Sequence, residues 1–378
     1  NEVKEYYFSA KLKEIDALKA SGVPVINLGI GSPIDVPHPS VIQALCETAS
    51  SHTSHGYQSY IGTPDLRTAM ADWYGQHLGV RLNPTNEVLP LMGSKAGIVH
   101  LCMAFLNPGD RALVPNPGCP TYQAAVRMSE ATPMPYHLAE ESGWRPDFSE
   151  LETLAQQANV KIIFVNYPHM PTGADIDSAT WQTLIAFAER HQIILVNDNP
   201  YGFVQTGPRH SVLAFERARS VAIELNSLSK SHNMAGWRVG MAVGNAQILA
   251  EMLRFSSNLE SGMFLGAQRA AVAALRLDEE WHTAVARRYE GRRQLAYSIL
   301  HQLGCRFETH QRGIFAWGRV GSTWKDGYTL SDAVLQRCAL FITPGGIFGS
   351  CGEPYVRISL CAQESVLEES LQRIRSRL

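Results

Sequence analysis

The 378-residue chain lacks the paired cysteines of a disulfide scaffold or a zinc ribbon. Its seven cysteines, at positions 46, 102, 119, 305, 338, 351 and 361, are odd in number and scattered, and none stands in Cys-x-x-Cys spacing. They read as small apolar fillers in a reducing cytoplasm. Charge of one sign is also lacking. The formal net charge of −2 offers no basic face for nucleic acid or an anionic membrane. No apolar run approaches a membrane span, and an N-terminus rich in Glu, Lys and Tyr is not a signal peptide. The chain opens at Asn1 and not at methionine, consistent with a short missing leader. Thirteen histidines form no ligand pattern. His52 and His55 come nearest, but they sit in a Ser/Thr/His-rich stretch without a second pair, so a loop is expected and no metal. Internal repeats and low-complexity segments are absent.

What is present is the composition of a globular enzyme, 45% apolar and 18% charged, on a chain long enough for two domains. Short apolar runs alternate with amphipathic helical patterns, which predicts an α/β fold with a mostly parallel sheet flanked by helices. The runs are residues 111–115, 161–165, 193–196 and 221–225. Each leads into a polar loop: Asn116-Pro-Gly-Cys-Pro120, Asn166-Tyr-Pro-His-Met-Pro-Thr-Gly173, Asn197-Asp-Asn-Pro-Tyr201 and Asn226-Ser-Leu-Ser-Lys230. Ligands of open parallel sheets bind at the carboxyl ends of the strands, so Asp198, Tyr201 and Lys230 are expected on one edge. A helical pattern from Glu279 to Leu303 is expected to join a large domain, 41–284, to a smaller α+β domain built from 1–40 and 285–378. In the N-terminal part, Lys11 to Ala20 reads as helix.

Lys230 carries the chemistry in this pattern. An isolated lysine is ordinarily a solvated surface charge. One placed where a strand gives way to a loop, among hydroxyls and eight residues before Arg238, suits a Schiff base to a phosphorylated aldehyde cofactor, because desolvation and a neighbouring cation make its amine nucleophilic. Upstream, Gly93-Ser94-Lys95 opens a helical stretch whose free N–H groups form a phosphate seat.

The chain resembles the class I/II aminotransferases of the fold-type I pyridoxal-phosphate enzymes. The resemblance covers nearly the whole chain in order, through Gly31-Ser-Pro33, Tyr57 with Gly62 and Leu66-Arg67, Gly93-Ser-Lys95, Asn166 with Pro171-Thr-Gly173, Asp198 to Tyr201, Ser227 to Lys230 with Arg238, and Tyr355-Val-Arg357-Ile-Ser359. The stretch from Lys230 to Asn245 looks closest to enzymes acting on diaminopimelate, alanine or aspartate. The resemblance implies pyridoxal 5'-phosphate as cofactor, held by Lys230. Asp198 is then the partner of the pyridine nitrogen and Tyr201 a donor to the ring oxygen. Gly93, Ser94 and the Lys95 backbone, with Ser227 and Arg238, would hold the phosphate, and Asn166 belongs to the cofactor site. Arg357 would clamp the substrate α-carboxylate, with the Gly31 backbone closing the other side. Tyr57 matches a tyrosine that reaches the partner subunit's cofactor, which implies a cytoplasmic homodimer with shared sites and with amino acid and 2-oxo acid as substrates.

Two positions depart from the family pattern. Met170 stands where an asparagine usually donates to the ring oxygen, and Cys119 where an aromatic usually stacks on the cofactor; a thiol supplies neither that area nor that quadrupole. Weaker cofactor binding is expected, with Tyr122 or His169 as compensating groups. Transamination is the leading reading. A C–S or β-lyase on the same scaffold and a cofactor-binding protein with weak catalysis are the alternatives. The distal end of the substrate is not readable; Arg312, Tyr60 and the N-terminal segment are the candidates for meeting it.

Overall fold

The computed structural model describes residues 7–157 and 159–378, the first four as helix backbone. Its centre is a seven-stranded sheet in the order β2 (Val88–Leu91), β8 (Gly240–Gly244), β7 (Ala222–Ser227), β6 (Ile194–Asp198), β5 (Val160–Val165), β3 (Arg111–Asn116) and β4 (Thr132–His137). β7, β6, β5, β3 and β4 run parallel, and β8 is antiparallel to both its neighbours. The four apolar runs are β3, β5, β6 and β7, so the α/β reading holds. They are apolar on both faces because both faces are covered. Leu113, Ile163, Leu195 and Ala222 pack into one layer. Ala112, Ile162, Phe164, Val196 and Ile223 pack into the other. β2, β8 and β4 were not read from the sequence: β8 is Gly-Met-Ala-Val-Gly, and β4 carries two prolines, which an edge strand tolerates.

The N-terminal helix covers Tyr7–Ala20 and the long helix Glu279–Gln302, within a few residues of expectation. After the first helix, β1 (Ile26–Asn27) pairs in parallel with β10 (Leu340–Phe341), and Ser359 N donates to Leu28 O at 2.7 Å. The N-terminal segment therefore packs on the C-terminal part. That contact brings Gly29 and Gly31 beside β12 (Tyr355–Ser359), the middle strand of a sheet with β9 (Phe315–Arg319) and β11 (Thr343–Pro344). Cys102, Cys305, Cys338 and Cys361 are buried as fillers, and all seven thiols are free. Among the described residues no helix is long and apolar enough to cross a membrane, and no group of three or more His, Cys, Asp or Glu is disposed to hold a metal.

Behind the sheet edge, His77, His232 and His282 cluster with Trp73 and Phe203. His282 lies 5.0 Å from His77 and 5.2 Å from His232, centroid to centroid. Neither ring nitrogen of His282 has a hydrogen-bond partner among the described residues. Burial, then His77 and Arg209, push its pKa down to about 3, and burial does the same to His169. Both are neutral in the fold and titrate near 6.5 when unfolded. Their contribution is therefore complete above 6.5 and is lost as pH falls from 6.5 towards 3, by at most about 1.4 kcal/mol per histidine per pH unit. His282→Leu is expected to raise stability at pH 7 by ~1–2 kcal/mol, since it removes two unsatisfied polar atoms, and to flatten the loss between pH 7 and 5. Denaturant titrations at the two pH values check both.

Candidate active site

The strand ends build the site. A cavity of about 700 Å³ opens there, with Ser94, Asp198, Ser227, Lys230, Arg238 and Arg357 in its wall. At one end, the helix Ser94–Phe105 begins after Gly93, whose φ of 90° is left-handed. A Cβ at Gly93 would collide with the Arg238 guanidinium, so only glycine lets that cation close on the helix start. Ser227 ends β7 and its hydroxyl lies 2.7 Å from that of Ser229. Free N–H groups, two hydroxyls and a guanidinium form an oxyanion seat.

At the opposite wall, Asp198 closes β6. Its Oδ2 accepts from Tyr122 OH at 2.8 Å, while its Oδ1 is buried without a partner among the described residues. Burial pushes this carboxyl up to about 6; the Tyr122 hydrogen bond lowers it and the charge of Glu224 raises it. An orphaned carboxylate oxygen of this kind calls for a cationic N–H. Lys230 lies between the two ends, half-buried, its Nζ donating to Gly31 O. Burial pulls its pKa down, and the Arg357 and Arg238 charges add to that against an opposing effect of Cys361. The residues thus fit a phosphorylated pyridine aldehyde: an oxyanion seat, an amine of lowered basicity, and an unpaired carboxylate for the ring nitrogen.

Arg357, the central residue of β12, is buried with its guanidinium carbon 3.7 Å from the Phe315 ring centroid and 4.6 Å from that of Phe348. Its Nη2 donates to Gly29 O at 2.8 Å. A Cβ at Gly31 would collide with the Phe315 ring, so glycine there lets the N-terminal segment pass over the site. Tyr201 lines the same cavity, and burial raises its phenol pKa. Lys95 and Cys119 are also in the wall.

Besides Gly93, two sequence-predicted residues do not line the cavity of this chain. Asn166 lies behind the wall, where its Nδ2 donates to Asp198 O and its Oδ1 accepts from Met170 N at 2.8 Å; it ties two loops together. Tyr57 is 93% exposed and does not reach the cavity of its own chain. Neither Tyr122 nor His169 is among the residues of the cavity wall. The Tyr122 ring stacks on Phe164 while its hydroxyl holds Asp198, and His169 Nδ1 faces Thr172 Oγ1 at 2.8 Å. Met170 itself lines the cavity, with Sδ 3.2 Å from Arg357 Nη1. Of the distal candidates, Arg312 is paired with Asp175 at 3.0 Å and lines a different cavity. Leu12, Lys13 and Asp16 of the N-terminal helix are in the wall. Sequence reading missed Ser229, Phe315, Phe348 and the role of Tyr122. Ser229 alone had a signal, two residues from Ser227.

The chain belongs to the class I and II aminotransferases, whose family model matches residues 23–374. It is therefore an enzyme that uses pyridoxal 5'-phosphate to move an amino group from an amino acid to a 2-oxo acid. It is 37% identical over 378 residues to the LL-diaminopimelate aminotransferase of Halothermothrix orenii, covering 98% of this chain and 95% of that protein. It is 38% identical to transaminase BacF of Bacillus subtilis, covering 97% and 92%. The substrate-bound BacF structure superposes with a TM-score of 0.94 at 36% identity, over 100% of this chain and 95% of that one. A probable N-succinyldiaminopimelate aminotransferase from Thermus thermophilus does so with 0.90 at 30% identity, over 98% and 99%. The lyase and weak-catalysis alternatives have no support in these likenesses.

Proposed function

We propose that Lys230 is the amine that holds the cofactor aldehyde, with Asp198 at the ring nitrogen, Tyr201 at the ring oxygen, and Gly93, Ser94, the Lys95 backbone, Ser227 and Arg238 around the phosphate. The observation that carries this reading is the unpartnered Asp198 Oδ1 in one cavity with Lys230 and Arg357. Bound pyridoxal 5'-phosphate would supply an electron sink for the pair released when a substrate Cα–H is broken. The chain's own work is to bind, orient and move a proton. Lys230 Nζ, kept weakly basic by burial and two arginines, would take the proton from Cα and deliver it to the carbon that carried the cofactor's aldehyde. Asp198 keeps the ring nitrogen protonated, because a carboxylate beside a cation favours the charged form. Arg357, packed against the Phe315 and Phe348 rings, offers a fixed fork to the α-carboxylate.

The donor is inferred to be an amino acid with a charged side chain. The opposite charges of Lys13 and Asp16 in the cavity wall support this, and so does the likeness to enzymes named for LL-diaminopimelate. BacF is equally similar and carries a different name, so likeness does not fix the donor. A panel of amino acids, including LL-diaminopimelate, aspartate and alanine, tests it through the visible spectrum of the cofactor-loaded protein. Donors convert it to the pyridoxamine form. No conversion by any of them would sink the reading.

The working unit is inferred to be a cytoplasmic homodimer, each chain built from lobes 41–284 and 1–40 with 285–378. The 93% exposure of Tyr57 supports a role for this phenol at a partner's phosphate, and the free thiols support a reducing compartment. Tyr57→Phe is then expected to weaken cofactor binding about tenfold, the loss of one charge-assisted hydrogen bond. Equilibrium dialysis measures it, and unchanged affinity would exclude that role.

The departures at Met170 and Cys119 predict a loosely held cofactor. Met170→Asn and Cys119→Tyr are each expected to tighten pyridoxal 5'-phosphate binding, by roughly three- to tenfold for an added hydrogen bond or ring stack. Unchanged dissociation constants in both variants would show that the native pair costs no affinity.

A further inference from the structure

Directly behind Asp198 a second carboxylate is fully buried. Glu224 on β7 is in register with Asn197 on β6, one residue before Asp198. Its Oε1 accepts from Tyr74 OH at 2.9 Å and Asn199 Nδ2 at 3.4 Å. Its Oε2 accepts from Asn197 Nδ2 at 3.0 Å and the Val212 N–H at 3.2 Å. These four donors are all neutral, two on each oxygen, and they leave no lone pair for a proton. An acceptor-only carboxyl is the ionised form; burial pushes the Glu224 carboxyl up, and the hydrogen bonds from Asn197, Tyr74, Val212 and Asn199 work against that.

The donors are not scattered. Asn197 and Asn199 are the two neighbours of Asp198 in the chain, so the segment that presents Asp198 hangs from Glu224 on both sides. Each asparagine is held a second time: Asn197 Oδ1 accepts from Tyr167 N at 3.2 Å, and Asn199 Nδ2 also donates to His210 O at 3.1 Å. Tyr74 OH in turn accepts from Asn226 Nδ2 at 3.3 Å, which keeps its own proton directed at Glu224.

We propose that Glu224 is a positioning residue that fixes the Asp198 carboxylate from behind and, through its charge, keeps that carboxylate basic enough to retain a proton on a ring nitrogen placed opposite Oδ1. The electrostatic part follows from like charges in a shared low-dielectric region: ionising one carboxyl makes the other harder to ionise. In agreement, Glu224 is among the groups that push the Asp198 carboxyl up. The other titratable groups facing the pair are Tyr122, Tyr201 and Cys119 on the Asp198 side and Tyr74 on the Glu224 side.

The inference rests on the proposed role of Asp198, and the test separates the two. The Asp198 carboxyl is titrated by ¹³C NMR in the cofactor-free protein, assigned through Asp198→Asn, and the dissociation constant for pyridoxal 5'-phosphate is measured alongside. The expected midpoint is near 6 in the native protein. In Glu224→Gln it falls by a unit or more and cofactor binding weakens at least tenfold. Glu224→Asp keeps the charge but shortens the reach, so its midpoint stays within half a unit while binding weakens about fivefold. This variant also carries the test if the amide cannot be accommodated and Glu224→Gln does not fold. An unmoved midpoint in Glu224→Gln, or binding that weakens in Glu224→Gln but is unchanged in Glu224→Asp, overturns the role of Glu224. A moved midpoint with unchanged cofactor affinity in both variants leaves the coupling intact and refutes the pairing of Asp198 with the ring nitrogen.

Discussion

Lys230→Ala is expected to abolish the borohydride-fixable adduct between the chain and pyridoxal 5'-phosphate, and to cut turnover by about 10²–10⁴ through the lost proton transfer alone. No other lysine stands in its place: of the two further lysines in the cavity wall, Lys13 belongs to the N-terminal helix and Lys95 is the second residue of the helix at the phosphate seat. The structural effect of the change is small. Lys230 sits in a four-residue helical turn, Leu228–Ser231, closed by the Ser227 hydroxyl accepting from Ser229 N, and alanine is at home in a helix. The variant should therefore fold, and the phosphate seat should still bind the cofactor, without covalent attachment. Mass spectrometry after borohydride treatment decides the matter, because a surviving adduct would place the amine elsewhere. Added primary amines are expected to restore a fraction of turnover, which a merely structural lysine would not allow.

Arg357→Lys is expected to lower kcat/KM by about 10²–10³, corresponding to the ~2–5 kcal/mol lost when one partner of a buried charged pair is degraded. The guanidinium carbon lies over two rings, Phe315 at 3.7 Å and Phe348 at 4.6 Å, a setting that suits a planar cation better than an ammonium. Lysine keeps the charge, loses the bidentate fork and leaves the space over the rings underfilled. Most of the effect should fall on KM for the amino acid and for the 2-oxo acid alike, since both bring an α-carboxylate. Steady-state kinetics with each substrate varied in turn measures this. A fall confined to one of the two would mean that Arg357 serves the distal group instead.

The order of elements was legible because strands buried on both faces are continuous apolar runs, and the chain has four of them, each ending in Asn, Asp, Ser, Gly or Pro. Asp198, Ser227 and Lys230 were legible for the same reason: they follow those runs directly. β4 was hidden by Pro133 and Pro135, which look like loop residues unless the strand is known to lie on an edge. Asn166 was legible as a site residue but not in its task. Its amide is spent on the Asp198 carbonyl and the Met170 N–H, and only the folded loop shows that. Tyr122 was read as a stand-in for a stacking ring, whereas the helix Pro120–Met128 turns its hydroxyl to Asp198.

The linear chain by itself determined the α/β class and the sheet edge at which Asp198, Ser227 and Lys230 gather, because each of these depends on residues close in sequence and on the period of apolar positions. The tertiary structure alone decided what surrounds them. Phe315 and Arg357 share a site because β9 and β12 pair antiparallel, with Arg357 opposite Trp317 and Ser359 opposite Phe315. Gly31 covers Lys230 because β1 joins β10, more than 300 residues away in the chain. Glu224 stands behind Asp198 because β6 and β7 align Asn197 with it. Register between distant strands is set by packing of whole layers, and no local pattern encodes which side chains that register brings face to face.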